Sequence, residues 1–226
     1  MAPKTVIVAD DHPLFRTALR EAVKPVLPGA QVLEADSFDA LQNALKQSGA
    51  PDLILLDLNM PGVRGFSSLL FMRSEHPDVP VVVVSGYEEP ELIRRVFDFG
   101  AKGFIPKTAS LEVMSKAMRA ALNGHIWAPP EVKPADAAPA DRALAEKVAS
   151  LSPQQLRVLL LLADGRLNKQ IGAQLDITEA TVKAHVTAIL RKLELRRRTQ
   201  AAVLAQRLLH DEAIPLHADL AVDDEA

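Results

Sequence analysis

The feature that most constrains the fold is a series of short, uninterrupted apolar runs that alternate with segments of helical periodicity. Leu53–Leu56 and Val81–Val84 contain no polar side chain, which is typical of strands that are covered on both faces of a sheet. Five strand candidates, each followed by a helix candidate, occupy the first 125 residues. This order predicts an α/β fold in which a five-stranded, doubly wound parallel sheet carries helices on both faces.

The predicted elements of this region can be assigned along the chain. The strands are Thr5–Ala9, Gln31–Glu34, Asp52–Leu56, Val79–Ser85 and Gly103–Pro106, and the helices are Pro13–Lys24, Phe38–Gln47, Phe66–Ser74, Pro90–Phe99 and Leu111–Leu122. Ser37 and Ser110 stand at predicted N-caps, and Gly100 and Gly124 at predicted helix ends.

A change of composition divides the chain into two domains. Residues 128–140 contain four prolines among alanines and charged residues, a composition typical of linkers. We therefore predict a first domain over residues 1–125 and a linker over residues 126–148. The next segment predicts a small all-α domain over residues 149–212, with helices at Pro153–Asp164, Lys169–Leu175, Glu179–Leu193 and Thr199–His210. Residues 213–226 are acidic and short of large apolar side chains, so we predict a disordered tail.

Composition and charge exclude several classes of protein. The 226 residues include no cysteine, which excludes disulfides, thiolate metal sites and cysteine nucleophiles. The apolar runs are far shorter than the ~18 residues of a membrane span, and the N-terminus leads directly into a strand, so we expect a cytoplasmic protein without a membrane partner. Residues 151–210 carry ten basic and four acidic side chains, and this basic block favours a nucleic-acid partner.

Polar residues follow the predicted strands at the edge of the sheet where their carboxyl ends meet. Asp10 and Asp11 follow the first strand, Asp57 the third and Lys107 the fifth, and Ser85 ends the fourth. Ligands of doubly wound sheets bind at this edge. Three converging carboxylates repel one another unless a cation lies among them, and their oxygen atoms suit Mg²⁺. A hydroxyl and an ammonium group beside them predict a site for a phosphoryl group.

These residues and their neighbours resemble the receiver domain of two-component response regulators over residues 4–124. The motifs are Asp10-Asp11-His12-Pro13, Asp57-Leu58-Asn59-Met60-Pro61-Gly62, Ser85-Gly86 and Gly103-Phe104-Ile105-Pro106-Lys107. The resemblance implies that Asp57 accepts a phosphoryl group and that Mg²⁺ is bound, directly or through water, by Asp10, Asp11, Asp57 and the backbone carbonyl of Asn59. It further implies that Lys107 and Ser85 contact the phosphoryl oxygens and that Phe104 is a switch aromatic coupled to them.

The basic block has the spacing of a helix-turn-helix. The turn Asp176-Ile177-Thr178 separates two helix candidates, and the second, Glu179–Leu193, is the predicted recognition helix with Thr178 as its N-cap. Val182, Val186, Ile189 and Leu193 predict its buried stripe. The run Ile177-Thr-Glu-Ala-Thr-Val-Lys-Ala-His-Val and its surroundings are similar to the LuxR-type DNA-binding domain. This resemblance implies base contacts from Lys183, Ala184 and Thr187 and positions near the DNA backbone for Thr181, His185, Arg191 and Lys192.

Together the resemblances identify the chain as a member of the NarL/FixJ subfamily of response regulators, which implies a phosphorylation-controlled transcriptional regulator and not an enzyme. The implied partners are double-stranded DNA, a sensor histidine kinase, RNA polymerase or other transcription machinery, and a second copy of the chain in a homodimer formed on phosphorylation. Two alternatives stay open. One is a regulator that binds DNA without phosphorylation, against which the intact Asp10, Asp11, Asp57 and Lys107 argue. The other is a Mg²⁺-dependent aspartyl-phosphate phosphatase, in which Asn59 stands where a proton-donating acid is needed.

Overall fold

Five parallel strands and five helices form the first of two units of the chain. A computed structural model describes residues 3–63, 65–132 and 139–209, and the units are Met1–Asp136 and Ala137–Ala226. The elements of the first unit are β1 (Thr5–Ala9), α1 (Pro13–Val23), β2 (Gln31–Ala35), α2 (Phe38–Ser48), β3 (Leu53–Asp57), α3 (Ser67–Glu75), β4 (Val81–Ser85), α4 (Pro90–Asp98), β5 (Gly103–Pro106) and α5 (Leu111–Leu122). The strand order is β2-β1-β3-β4-β5 with parallel pairs throughout. The predicted doubly wound sheet is confirmed.

The inner strands β1, β3 and β4 are buried on both faces, as the continuous apolar runs of β3 and β4 predict, whereas the edge strand β2 is partly exposed. Alternate residues of β1, β3 and β4, such as Val8, Leu55 and Val84, pack with one face of α1 and of α5. The helices contribute side chains such as Leu19 and Met118 to this layer. The intervening strand residues point to the opposite face because side chains alternate along a strand. Burial on both faces keeps the middle strands fixed, and their carboxyl ends form one shared edge.

The helix ends of this unit lie within one residue of the predicted ones, and the predicted N-caps Ser37 and Ser110 are confirmed. Ser37 Oγ accepts a hydrogen bond from Ala40 N–H at 3.3 Å, and Ser110 Oγ accepts one from Val113 N–H at 3.4 Å. Gly100 has a φ of +88°, a left-handed conformation that glycine adopts without a steric penalty. These caps and stops decide where the chain turns back towards the sheet.

The second unit is helical over its described residues. Its elements are α6 (Pro139–Ala149), α7 (Pro153–Ala163), α8 (Asn168–Leu175), α9 (Glu179–Lys192) and α10 (Arg198–Leu209). α7 packs against both α9 and α10. At the start of α7, Ser152 and Gln155 form the predicted capping box, with Gln155 N–H donating to Ser152 Oγ and Ser152 N–H donating to Gln155 Oε1. Across the described parts of both units, no helix is long and apolar enough to span a membrane.

The prediction of a linker over residues 126–148 needs correction at both ends. Trp127 forms a parallel bridge with Gly103 of β5, so this residue belongs to the first unit. Pro139 begins α6, in which Leu144 and Val148 are buried. Proline does not interrupt this helix because the first turn needs no intrahelical bond from its missing N–H. The predicted tail, residues 213–226, lies outside the described residues.

Gly172 permits the close turn between α8 and α9. Ile177 N–H donates to the Gly172 carbonyl at 3.0 Å, and Asp176 adopts a left-handed φ of +54°. A Cβ atom on Gly172 would lie 2.7 Å from the Ile177 carbonyl oxygen, closer than real Cβ contacts allow. The backbone of the turn therefore packs directly on α8.

Gly172→Ala is expected to destabilise the second unit by roughly 1–3 kcal/mol, because an added methyl group forces the packed backbone apart. An unhindered glycine-to-alanine change in a helix would instead stabilise it by about 1 kcal/mol. Hydrogen exchange of the α8 and α9 amides in the full chain measures the effect. The exposed Ala173→Gly is the control for helix propensity alone. Slower amide exchange in Gly172→Ala than in the wild type would contradict the close contact.

Candidate functional site

The carboxyl ends of β1, β3 and β5 bring two buried carboxylates to one ammonium group. Asp57 is the last residue of β3 and Asp10 follows β1, and their side chains are 2% and 0% exposed. Lys107, directly after β5, places its Nζ 2.7 Å from Asp57 Oδ2 and 2.8 Å from Asp10 Oδ2. The structure thus brings together three residues that lie far apart in the sequence, because parallel strands end at the same edge.

The Lys107 ammonium keeps its charge in this position. Burial disfavours the charged form, but the interactions of the ammonium group with the Asp10 and Asp57 carboxylates outweigh burial, and the pKa of Lys107 is raised above its ordinary value. The lysine is therefore a cation throughout the neutral pH range. It partly compensates the repulsion between the two buried carboxylates.

Asp11 and His12 complete the mouth of this acidic pocket. His12 Nδ1 lies 2.5 Å from Asp11 Oδ1 and 3.3 Å from Asp10 Oδ1, and the His12 side chain is 66% exposed. One ligand atom from each of Asp10, Asp11, His12 and Asp57 lies within 4.8 Å of the others. Sequence reasoning did not include His12 in the site, although its place directly after two aspartates was a signal.

The donor atoms of the acidic pocket suit a small, hard cation. Neither Asp10 Oδ2 nor Asp11 Oδ1 accepts a hydrogen bond of good geometry, although Lys107 and His12, respectively, lie within ion-pair distance. Carboxylate oxygens of this kind, with a mouth open to water, match the preference of Mg²⁺ for oxygen ligands and retained waters. The residues present therefore fit a divalent cation of that class.

The other predicted residues of this edge have distinct surroundings. Asn59 N–H donates to Asp57 Oδ1 at 3.1 Å, so it holds the second carboxylate oxygen. Ser85 is buried at the end of β4, and its Oγ accepts a hydrogen bond from Tyr87 N–H at 3.1 Å. Phe104 is fully buried within β5, three residues before Lys107. Asn59 follows β3 and Phe104 lies in β5, the strands that lead to Asp57 and Lys107. Ser85 ends β4, which lies between these two strands.

The second unit presents the predicted helix-turn-helix. Thr178 Oγ1 accepts a hydrogen bond from Thr181 N–H at 3.1 Å and caps α9 as predicted. The predicted stripe on α9 is buried at Val182, Val186, Ile189 and Leu193. The opposite side of the helix is exposed, and the predicted DNA-contacting residues that are exposed on it are Thr181, Lys183, Ala184, Thr187 and Arg191. These residues form the exposed face of α9.

Two predicted DNA-contacting residues lie at the margin of that face. His185 and Lys192 are partly buried. Lys192 Nζ donates to the Ser150 carbonyl at 2.7 Å, and Lys147 of α6 forms an ion pair with Glu194 at 2.6 Å. These contacts connect the end of α6 to the end of α9. Sequence reasoning missed them because it placed residues 139–148 in a linker. Lys183, by contrast, is exposed and pairs with Glu179 at 3.1 Å.

Comparisons with protein families match both units. The family described as "Response regulator receiver domain" matches residues 6–119, and that described as "Bacterial regulatory proteins, luxR family" matches residues 149–205. The first match contains the whole acidic pocket, and the second contains α7 to α9. Both matches agree with the two resemblances that the sequence motifs indicate.

Relatives and solved structures extend the match to most of the chain. The glycerol metabolism activator of Pseudomonas putida is 39% identical over 207 residues, covering 88% of this chain and 94% of the relative. The nitrate/nitrite response regulator NarL of Escherichia coli K12 is 37% identical over 204 residues, covering 89% and 94%. A structure of the RcsB response regulator of Salmonella typhimurium shares the fold, with a TM-score of 0.53 and 24% identity over 92% of this chain and all of that one. This chain belongs to the NarL/FixJ-type response regulators, in which a receiver domain is joined to a LuxR-type DNA-binding domain.

Proposed function

We propose that Asp57 is the phosphoacceptor of this response regulator and that a sensor histidine kinase supplies the phosphoryl group. The observation that carries this proposal is the Asp57 carboxylate itself, which is buried at the end of β3 and held 2.7 Å from the Lys107 ammonium. Asp10 lies beside both groups, but of the two aspartates only Asp57 belongs to a strand, β3, and this strand lies between β1 and β5 in the sheet. The central position makes Asp57 the nucleophile and leaves the flanking residues to stabilise charge.

In the transfer, one carboxylate oxygen of Asp57 forms a bond to phosphorus while the bond between phosphorus and the histidine nitrogen of the kinase breaks. The electron pair of the broken bond stays on that nitrogen. The phosphoryl group carries roughly −1.5 to −2 charge units at neutral pH. Because the Asp57 carboxylate gives up its own negative charge in the acyl phosphate, the site gains about one negative charge at most, and that charge moves onto the phosphoryl oxygens. Lys107 stays protonated and donates to a phosphoryl oxygen. Ser85 Oγ already accepts from Tyr87 N–H, so its own proton is the one that it donates to the phosphoryl group.

The acidic pocket would hold Mg²⁺ through Asp10, Asp11, Asp57 and the Asn59 carbonyl. When bound, the ion neutralises charge on the phosphoryl oxygens during transfer. Asp10 is fully buried and Asp11 is partly exposed. Asp10 would therefore bind the ion from inside the pocket, and Asp11 would bind it from the side that faces solvent. Asn59 also orients Asp57 through its N–H group.

Phosphorylation controls DNA binding because the phosphoryl group has different contacts in two conformations of the receiver. A ligand shifts an equilibrium only by its differential affinity for the two states. Here Ser85 and Lys107 supply that difference, and Phe104 transmits it because it lies on β5, which ends directly before Lys107. The output is DNA binding by a homodimer in the cytoplasm, followed by contact with RNA polymerase or other transcription machinery.

On DNA, the exposed face of α9 enters the major groove. Lys183 and its small neighbours Ala184 and Thr187 meet base edges, while Thr181 and Arg191 lie near phosphates. His185 and Lys192 are partly buried at the margin of this face, so their contacts with the DNA backbone contribute less. Two alternatives are tested below: DNA binding without phosphorylation, and hydrolysis of aspartyl phosphate as the main activity.

Asp57→Asn is expected to abolish phosphate incorporation from acetyl phosphate and Mg²⁺, because the amide is not a nucleophile for phosphorus. Intact-protein mass spectrometry measures the incorporation. Asp52→Asn is the matched control: Asp52 lies directly before β3 and pairs with Lys4, far along the strand from Asp57. Labelling of Asp57→Asn to the wild-type extent would contradict the assignment. Continuous turnover of acetyl phosphate without accumulation of phosphoprotein would favour the phosphatase.

Lys183→Ala and Arg191→Ala are expected to affect DNA binding in different ways. Loss of a bidentate contact to guanine costs roughly 1–3 kcal/mol of discrimination, so Lys183→Ala relaxes base preference at one position of each half-site. Loss of a phosphate contact at Arg191 weakens binding to all sequences and lowers the salt slope by about one unit.

The measurement is binding of phosphorylated protein to preferred and scrambled DNA across a salt series. Lys102→Ala, in the first unit, removes the same charge far from the exposed face of α9 in sequence and is the control. Equal losses of affinity by Lys183→Ala on both DNAs would make Lys183 a phosphate contact and would contradict its place at the base edges.

A further inference from the structure

The loop that carries Asp10 and Asp11 is held by an arginine outside the acidic pocket. Arg16, in α1, donates from Nη1 to the backbone carbonyl of Asp10 at 2.7 Å. The same guanidinium donates from Nε to Glu34 Oε2 at 3.1 Å. Glu34 belongs to β2, the strand beside β1. One side chain, only 15% exposed, thus connects α1 and β2 to the backbone of the loop.

The Asp10 backbone is fixed from both sides by these contacts. Its N–H donates to the Ala35 carbonyl at the end of β2 at 3.0 Å, and its carbonyl accepts from Arg16. The Asp10 carbonyl and the Asp11 N–H belong to one planar peptide unit. The position of the Arg16 guanidinium therefore sets the direction in which both aspartates leave the backbone.

The loop needs such a brace because its side chains repel one another. Asp10, Asp11 and Asp57 have carboxylate oxygens within 4.8 Å, and the cost of this proximity is large for the two that are buried. Rotation of the peptide between Asp10 and Asp11 would separate the charges and disperse the pocket. A charge-assisted hydrogen bond to the Asp10 carbonyl opposes that rotation.

We propose that Arg16 is a positioning residue that keeps Asp10 and Asp11 convergent for the divalent cation and the phosphoryl group. The inference rests on the proposed function of the acidic pocket. It assigns Arg16 no contact with the cation or with phosphate. Residues that orient metal ligands in this indirect way change metal affinity by roughly 10- to 100-fold when they are removed.

Arg20 provides a matched comparison within the same helix. It lies one turn after Arg16 and donates to the other oxygen of Glu34, Oε1, also at 3.1 Å. Among the described contacts of Arg20 there is no hydrogen bond to the Asp10 carbonyl, which accepts from Arg16. Arg16→Ala and Arg20→Ala therefore remove the same charge and one hydrogen bond each to Glu34, and only Arg16→Ala releases the loop.

The test measures two quantities in the full-length chain. The first is the dissociation constant of Mg²⁺, obtained by calorimetry with the metal alone, and the second is the Mg²⁺ concentration that gives half-maximal labelling by acetyl phosphate. Arg16→Ala is expected to raise both values by about tenfold or more. Arg20→Ala is expected to change them by less than about twofold, because an exposed ion pair contributes little. Arg16→Lys, which keeps the positive charge on a single donor nitrogen but loses the planar fork, is expected to fall between Arg16→Ala and the wild type.

Equal Mg²⁺ affinities in Arg16→Ala and Arg20→Ala would overturn the inference. If Arg16→Ala does not fold, as judged by circular dichroism, Arg16→Lys is compared with Arg20→Lys, and equal affinities there would overturn it as well. Absence of labelling in the wild type would instead contradict the proposed function. The two failures are distinguishable because calorimetry with Mg²⁺ alone requires no phosphoryl transfer.

Discussion

The pocket depends on one ammonium group that lies between two buried carboxylates. Asp10 and Asp57 are almost inaccessible to water, and burial of two like charges without a cation is strongly unfavourable. Lys107 supplies that cation from the end of β5, and the carboxylates in turn raise its pKa. The same three groups are therefore a structural requirement of the sheet edge, and in the proposed mechanism a phosphoryl group at Asp57 would change the balance of charge among them.

Much of the fold could be predicted because local sequence and tertiary structure agree. The apolar runs of β3 and β4 fit only a sheet covered on both faces, and Ser37 and Ser110 mark helix starts. The error at residues 139–148 arose from proline content. Pro139 occupies the start of α6, where proline is tolerated, and the buried Leu144 and Val148 were the better signal.

The acidic pocket could be predicted only in part. Asp10, Asp57 and Lys107 are fixed by the strand ends, so strand assignment alone brings them together. The contact of Arg16 with the Asp10 carbonyl and that of Lys192 with the Ser150 carbonyl depend on side-chain directions. Neither residue type nor spacing determines those directions. The second contact also depends on α6, which ends directly before Ser150 and lies in the segment predicted as a linker.

In the mechanism that we propose, the charge balance at Lys107 connects phosphorylation to DNA binding. Its most direct test is the DNA affinity of the full chain before and after treatment with acetyl phosphate and Mg²⁺, in the wild type and in Lys107→Ala, with labelling followed by intact mass. We expect phosphorylation to change the DNA affinity of the wild type, whereas labelled Lys107→Ala retains the affinity of its unlabelled form. An equal change in affinity in both proteins would contradict this mechanism.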